Sequence, residues 1–343
     1  MVAQAITNAH AYSGLRPIGS TRDMVSVARL VEQAFADDMD TVGRSAMREM
    51  RVMGRLFGWA DFFSPPGQGM LPGFVWVEAG RIVGNVTARR LSSFGHGWMI
   101  GNVAVDPVWR RRGIARQLMQ AAIELAREQD AAWISLQVRS DNVGAHDLYR
   151  ALGFLDTGET IYFERRQFER SASPAQPVEG RLRAARPSDA DRIYTLAQAS
   201  MPDSVRWAEP MYRSSFELGV ERRFSNWLTN SQQTWRVIEV GDQLWGAALA
   251  EVNRWSQHGK LCLWVVPPRA GHIEQRLIDS VLAEITTPVQ RMTARLPGQH
   301  VAGRVALATR GFQQVRALTH MRLDVKREEG RGKDEGGRMK DEG

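Results

Sequence analysis

The chain of 343 residues contains one cysteine, Cys262. A lone cysteine excludes an internal disulfide and suits a reducing, cytoplasmic setting. Long apolar runs are also missing: none reaches the length of a bilayer-spanning helix, so no membrane role is expected. Residues 1–14 lack a charged start followed by an apolar core, and read as a flexible N-terminus rather than a secretion signal. An acidic excess is absent too. The formal net charge is +7 and the sequence pI about 10.0. The tail from Lys326 to Gly343 balances its acids and bases, so the excess belongs to the folded part, notably Arg89-Arg90, Arg110-Arg111-Arg112 and Arg165-Arg166. No nucleic-acid module and no aromatic stacking platform accompanies it. A basic nucleic-acid-binding protein remains the outlying alternative, while a ligand carrying several phosphates fits the charge better.

The length exceeds one typical core and gives two domains, and a hydrophobic content of 43% gives globular ones. The most informative stretch runs from Ile100 to Phe154. Met99, Ile100, Val103 and Val105 are strand formers, and Asp106-Pro107 ends the strand. Ile114, Leu118, Met119, Ala122, Ile123 and Ala126 then recur at three- and four-residue steps, which makes one apolar helix face. Ile134, Leu136 and Val138 alternate as a second strand.

Between strand and helix stands Arg110-Arg111-Arg112-Gly113-Ile114-Ala115-Arg116. A helix start leaves its first N–H groups unpaired and carries partial positive charge. Gly113 lets a ligand approach the backbone, small Ala115 keeps the next turn open, and the arginines add full charge. The combination describes a diphosphate cradle. Further on, Ser140 or Asp141 can cap a helix that carries Asn142, Ala145 and Tyr149 at i, i+3 and i+7, and Gly153 stops it.

V-A-V-D-P at 103–107, R-x-x-G-x-A from Arg110 to Ala115, and N-x-x-A-x-x-L-Y-x-x-x-G-F from Asn142 to Phe154 together resemble the GNAT superfamily of acyl-CoA-dependent N-acetyltransferases. The resemblance covers residues 15–168. Within it, Leu136 to Asn142 is similar to enzymes that acetylate N-terminal amines of ribosomal proteins. It implies acetyl-CoA as cosubstrate and no metal. Val103, Ala104 and Val105 would hold the pantetheine by their backbone, with the Val103 amide binding the developing oxyanion. Arg110 to Arg116, Asn142 and Ala145 would line the cofactor, and Tyr149 would protonate the departing thiolate. The glutamate base expected of those enzymes falls at Gln137, whose neutral amide takes up no proton. His96, Asp61 and Glu159 are the candidate bases instead. The acceptor would be a small amine or a peptide N-terminus. A non-catalytic acyl-CoA sensor is the alternative within the same resemblance.

The rest of the chain reads in that light. Leu15-Arg16-Pro17 gives a short strand, and Met24, Val27, Leu30, Val31 and Phe35 the face of a helix; a second helix spans 44–60, and a loop 64–69. Phe74 to Leu91 is a hairpin turning at Glu78 to Arg81, and Thr160 to Phe168 a closing strand. Residues 169–180 have linker composition. Then the pattern repeats: Gly241 and Gly246 answer Gly80 and Gly84, Val266-Pro267 answers Val105-Asp106, and Gly311-Phe312 answers Gly153-Phe154. In the second copy Pro267 to Glu274 lacks R-x-x-G-x-A, Leu307 stands for Tyr149 and His300 for Asn142. Cys262 reads as core. The expected fold is α/β (α+β): two tandem GNAT-like domains, 15–168 and a degenerate 181–325, each a mixed, mostly antiparallel sheet flanked by helices, ahead of a disordered charged tail at 326–343. As a pseudo-dimer the chain would be a monomer, or else a homodimer.

Overall fold

The structure is a computed structural model that describes residues 12–19, 21–34, 73–91, 95–166, 180–208, 211–219, 224, 226–271 and 273–325. The readings made above for residues 1–11, 35, 44–60, 64–69, 167–179 and 326–343, and the candidate base Asp61, lie outside these residues. Two compact units emerge, one comprising Met1–Ser135 with Arg322–Gly343, the other Leu136–Met321. This division differs from the sequence boundary at 169–180. The chain leaves the first unit within one strand and re-enters it within its last.

The first unit runs β1 (Gly14–Pro17), α1 (Thr21–Ala34), β2 (Gly73–Glu78), β3 (Arg81–Arg90), β4 (Gly97–Val105), α2 (Ile114–Glu128) and the start of β5 (Trp133–Arg139). Strands lie in the order β1-β2-β3-β4-β5. The first three pairings are antiparallel, and β4 meets β5 in parallel at Gly97–Met99 with Trp133–Ser135. α2 buries Ile114, Leu118, Met119, Ala122, Ile123 and Ala126, the face its three- and four-residue steps define. In α1, Val27 and Leu30 are buried, and Val27 packs with Ile18, Val75 and Val77.

The second unit continues with the end of β5, α3 (Val143–Arg150), β6 (Leu155–Arg165), β7 (Arg181–Ala184), α4 (Ala190–Ala199), α5 (Asp203–Arg206), β8 (Ser231–Val240), β9 (Gln243–Asn253), β10 (His258–Val265), α6 (Glu274–Leu282), β11 (Arg291–Pro297), α7 (Val301–Ala308) and β12 (Gln313–Asp324). β7 to β11 repeat the pattern of β1 to β5: antiparallel pairings from β7 to β10, then a parallel pair β10–β11. The repeat extends to irregularities. β2–β3 slips register between Trp76 and Val77, and β8–β9 between Ile238 and Glu239.

Two corrections concern strands and caps. β6 begins at Leu155, directly after Phe154, and it does not simply close the first copy: it pairs antiparallel with β11 of the second, from Thr160↔Pro297 to Arg165↔Met292. β12 lies along the other edge of β6. An unpaired parallel strand would expose a row of donors and acceptors, and β6 covers that edge of β11. The cap of α3 is Asn142 rather than Ser140 or Asp141, for its Oδ1 accepts the Ala145 N–H at 3.2 Å. Ser140 instead donates to Glu159, and Asp141 pairs with Arg139, which holds its carboxyl below the usual range through their hydrogen bond.

Gly84 and Gly246 show why the repeat persists. A Cβ on Gly84 would lie 3.0 Å from both Ile114 and Leu118 of the α2 segment, and one on Gly246 would lie 2.7 Å from both Ile273 and Leu277 of the α6 segment. Each glycine admits a helix close against its strand. Gly246→Ala is therefore expected to cost roughly 1–3 kcal/mol through overpacking, read as a lowered midpoint in urea unfolding. An unchanged midpoint would mean that α6 shifts freely.

Candidate active site

In the first unit β4 is interrupted where the resemblance expects it to bind a thioester. β3 and β4 align Asn85 with Ala104 and Thr87 with Gly101, so Asn102 and Val103 together face the single residue Val86. This is a β-bulge, and Asn102 takes a left-handed φ of 52° within it. Three polar bonds hold it. Asn85 Nδ2 donates to the Asn102 carbonyl at 2.7 Å, Thr87 Oγ1 to the Gly101 carbonyl at 3.1 Å, and Asn102 Nδ2 to Thr87 Oγ1 at 3.1 Å. Asn85 is fully buried, and its Oδ1 has no partner among the described residues. The pairing of β4 with β5 is confined to Gly97–Met99, so the bulge lies beyond it.

From Val105 the chain enters the basic turn. Buried Asp106 ends the strand: its carboxylate accepts the Val108 N–H at 3.1 Å and pairs with Arg81 at 3.1 Å. Arg110 folds back, its Nε donating to the Val105 carbonyl at 3.1 Å, and Arg112 lies over the Trp109 ring at 4.5 Å. Arg111 has φ 62° and Gly113 φ 78°, left-handed conformations that turn successive backbone groups into a concave nest. Gly113 is the N-cap of α2 and no side chain caps that helix. Space beyond Gly113 is open among the described residues, with nothing within 4 Å of a Cβ placed there. Val103 and Ala115 are half-buried, Ala104, Val105 and Ile114 are buried, and Arg110, Arg111, Arg112 and Arg116 are exposed. These residues of the cradle thus come together on one strand–turn–helix.

His96 does not join them. It is exposed in the turn that opens β4, while Val103 lies near the strand's other end, roughly 20 Å along an extended chain. That exceeds the reach of direct proton transfer to a group at the bulge.

The remaining candidates belong to the second unit. Tyr149 is buried on α3, edge-on to Phe154 with ring centroids 6.2 Å apart. Burial pushes its hydroxyl up to about 12, so it holds its proton throughout the ordinary pH range. Ala145 is half-buried and Asn142 exposed at the cap. Glu159 on β6 is half-buried and accepts from Ser140 at 2.7 Å, and Ser140 in turn bonds Thr319 at 2.9 Å. Gln137 has a neighbour that lies 183 positions away in the chain: its Nε2 stands 3.4 Å from His320 Nδ1. His320 is fully buried, bonds Thr160 Oγ1 at 2.9 Å and meets Trp207 edge-on at 5.5 Å. Sequence patterning gave no sign of it, because only the placement of β12 beside β6 brings it there.

The second copy of the turn has been sealed by its own side chain. Glu274, buried at the first position of α6, accepts N–H groups from Gly271 at 2.8 and 3.0 Å and from Ile273 at 3.2 Å. His300 Nε2 reaches the same carboxylate at 3.0 Å. Burial would raise the Glu274 carboxyl, but the hydrogen bonds from His300 and from the backbone outweigh it and hold its pKa low. A carboxylate thus fills the place an anionic ligand would take. His300 is the N-cap of α7, as Asn142 is of α3, and Leu307 is fully buried.

Among the described residues no group of three or more His, Cys, Asp or Glu could hold a metal ion, and no helix is long and apolar enough to cross a membrane.

Burial lowers His320 from 6.5 to about 4, so the folded state favours the neutral ring. The stability this represents is present above pH 6.5 and is lost as pH falls from 6.5 through 4, to the extent of about 3 kcal/mol. The His320→Gln variant is expected to show a flatter stability profile than the parent over that window in urea titrations at stepped pH. Parallel profiles would mean that His320 titrates normally.

Comparison with known proteins bears on the family and the fold. Residues 33–154 match the Acetyltransferase (GNAT) family. A putative ribosomal protein bS18-alanine N-acetyltransferase of Bacillus subtilis is 37% identical over 59 residues, 17% of this chain and 39% of that protein. The ribosomal protein bS18-alanine N-acetyltransferase of Escherichia coli is 40% identical over 53 residues, 16% of this chain and 36% of that protein. An aminoglycoside N(6')-acetyltransferase type 1 of Stenotrophomonas maltophilia is 30% identical over 104 residues, 30% and 65% respectively. The chain thus spans under two fifths of the length of the two ribosomal-protein enzymes. Among solved structures, a GCN5-related N-acetyltransferase from Sphaerobacter thermophilus superposes with TM-score 0.60 at 14% identity, over 90% of this chain and 95% of that one. A tandem GNAT protein from the clavulanic acid biosynthesis pathway gives 0.53 at 18% identity, over 90% and 98%. The chain has the fold of the tandem GNAT structures, and its residues 33–154 carry the match to the GNAT acetyltransferase family.

Proposed function

We propose that this protein is an acetyl-CoA-dependent N-acetyltransferase whose cofactor cradle is the β4 bulge and the uncapped head of α2. The observation that carries this reading is the open nest at Arg111 to Gly113, whose amides have no side-chain cap and stand among four exposed arginines. A diphosphate suits such a nest, because it offers oxygens to the amides and charge to Arg110, Arg111, Arg112 and Arg116. The bulge supports the second half of the reading. It takes Asn102 and Val103 out of regular pairing with β3, so that the Val103 amide can serve the developing oxyanion, an effect often worth about 3 kcal/mol.

When bound, acetyl-CoA supplies the activated acyl carbon. The amine attacks that carbonyl, the carbon–sulfur bond breaks, and the sulfur leaves as a thiolate that needs a proton. Tyr149 is assigned that donation from its place in the N-x-x-A-x-x-L-Y motif and from its fully protonated state. Glu159, a half-buried carboxylate, is the candidate to receive the amine's proton, directly or through water. The relatives support an acceptor of one of two classes: a peptide N-terminus, as in the names of the ribosomal-protein enzymes, or a small amine, as in that of the aminoglycoside enzyme. A cytoplasmic location accords with both.

Coenzyme A release measured over a panel of N-terminal alanine peptides, aminoglycosides and polyamines tests this reading. Turnover is expected with at least one class. Tyr149→Phe should lower kcat by about 10²-fold with little change in the KM for acetyl-CoA. Full activity in that variant would remove Tyr149 as the acid. His96→Ala should leave the pH–rate profile where it was, given its distance from the bulge; a displaced acidic limb would restore His96 as the base.

A further inference from the structure

The second unit holds a cavity of about 270 Å³ that the acyl-transfer reading leaves unused. It lies on one face of β8 to β11, with Phe216 from the segment after α5 closing one side. At one end the walls are aromatic. Trp235 and Trp264 stack with centroids 5.8 Å apart and planes 11° from parallel, and Phe216 leans on them at 6.2 and 5.3 Å. At the other end the lining is charged. Glu251 and Lys260 stand directly opposite each other in the β9–β10 pair, and Arg295 comes from β11. A packing void would be apolar and closed. This cavity has exposed Lys260 and Arg295 at its margin and half-buried Glu251 within.

We infer that this cavity binds an aromatic α-amino acid. Directly opposed residues of an antiparallel pair have Cβ atoms about 5 Å apart. That spacing lets one acid and one base grip an ammonium and a carboxylate carried on the same carbon. Glu251 takes the ammonium, Lys260 and Arg295 the carboxylate, and the ring lies against the indole wall. Lys260, Cys262 and Trp264 alternate along β10, so the charged and aromatic ends share one face of that strand. Size agrees, since the volume falls just under the range of about 300–1,000 Å³ that takes drug-sized ligands. An acyl-CoA does not suit the site, because Glu274 already occupies the amides that would bind its diphosphate. Cys262 is a wall residue whose thiol burial pushes up, so it stays protonated and inert.

Titration calorimetry of the full chain with L-phenylalanine, L-alanine, phenylacetate and 2-phenylethylamine tests this inference. L-phenylalanine is expected to bind saturably at one site, and each analogue lacking ring, ammonium or carboxylate at least about tenfold more weakly. Glu251→Gln and Lys260→Met should each weaken L-phenylalanine at least about tenfold with the circular dichroism spectrum unchanged. Tyr149→Phe should leave this binding intact, whatever it does to turnover. Three results would overturn the proposal: no saturable binding of L-phenylalanine, phenylacetate binding as tightly, or affinity unmoved by both substitutions.

Discussion

The amides at the head of a helix must find an acceptor, and this chain answers that demand in two ways. At α2 the nest is built from left-handed Arg111 and Gly113 and is left without a side-chain cap. At α6 the same demand is met from within by Glu274, with His300 as a further donor to the carboxylate. An anion fully supplied with hydrogen bonds is stable in a buried place, whereas an open nest awaits a ligand. One turn thus keeps its helix-head amides turned outward, and the other has them bonded from within. The difference rests on a single carboxylate.

The bulge in β4 shows a related economy. Asn85 is wholly buried and gives one N–H to the Asn102 carbonyl, while its own oxygen has no partner among the described residues. A buried unsatisfied acceptor costs roughly 1–3 kcal/mol. Such a group persists where the surrounding structure fixes it, and here it fixes the left-handed Asn102 and the unpaired stretch beside Val103. The irregularity in the strand is what a backbone amide needs if it is to serve a ligand rather than a neighbouring strand.

Much of this was legible in the residues, and the limits of reading are physical. The apolar face of α2 and the hairpin turning at Glu78 to Arg81 followed from periodicity and turn chemistry, because each depends on neighbours in sequence. The repeat was visible through glycines that admit a helix, Gly84 and Gly246, since a larger residue there would press on the facing helix. What escaped depends on distant chain. The pairing of β6 with β11 has no local signature, and neither does His320 beside Gln137. The bulge escaped for another reason: Asn102 differs from a regular strand residue only in φ, and Asn85 reads as an ordinary polar strand position until its burial is known. The cap of α3 was misplaced by one or two residues because Ser140, Asp141 and Asn142 are all competent N-caps; the side-chain partners Glu159 and Arg139 draw away the first two.

The second copy then reads as more than a worn duplicate. In the second copy Phe216, Trp235 and Leu249 pack with Ile193, Leu196 and Ala197 of α4 into a core, with Trp264 against it, yet this packing does not close the face of β8 to β11 completely. It retains a void walled by two tryptophans and rimmed by Lys260, Arg295 and Glu251. An acid set against a base across one strand pair, on the face whose aromatic residues are packed inward, is not what packing alone selects, since burial of a larger apolar residue would gain more stability. Glu274 makes the retention possible, because it seals the helix head without filling the cavity, and frees the sheet face to take a ligand of different chemistry.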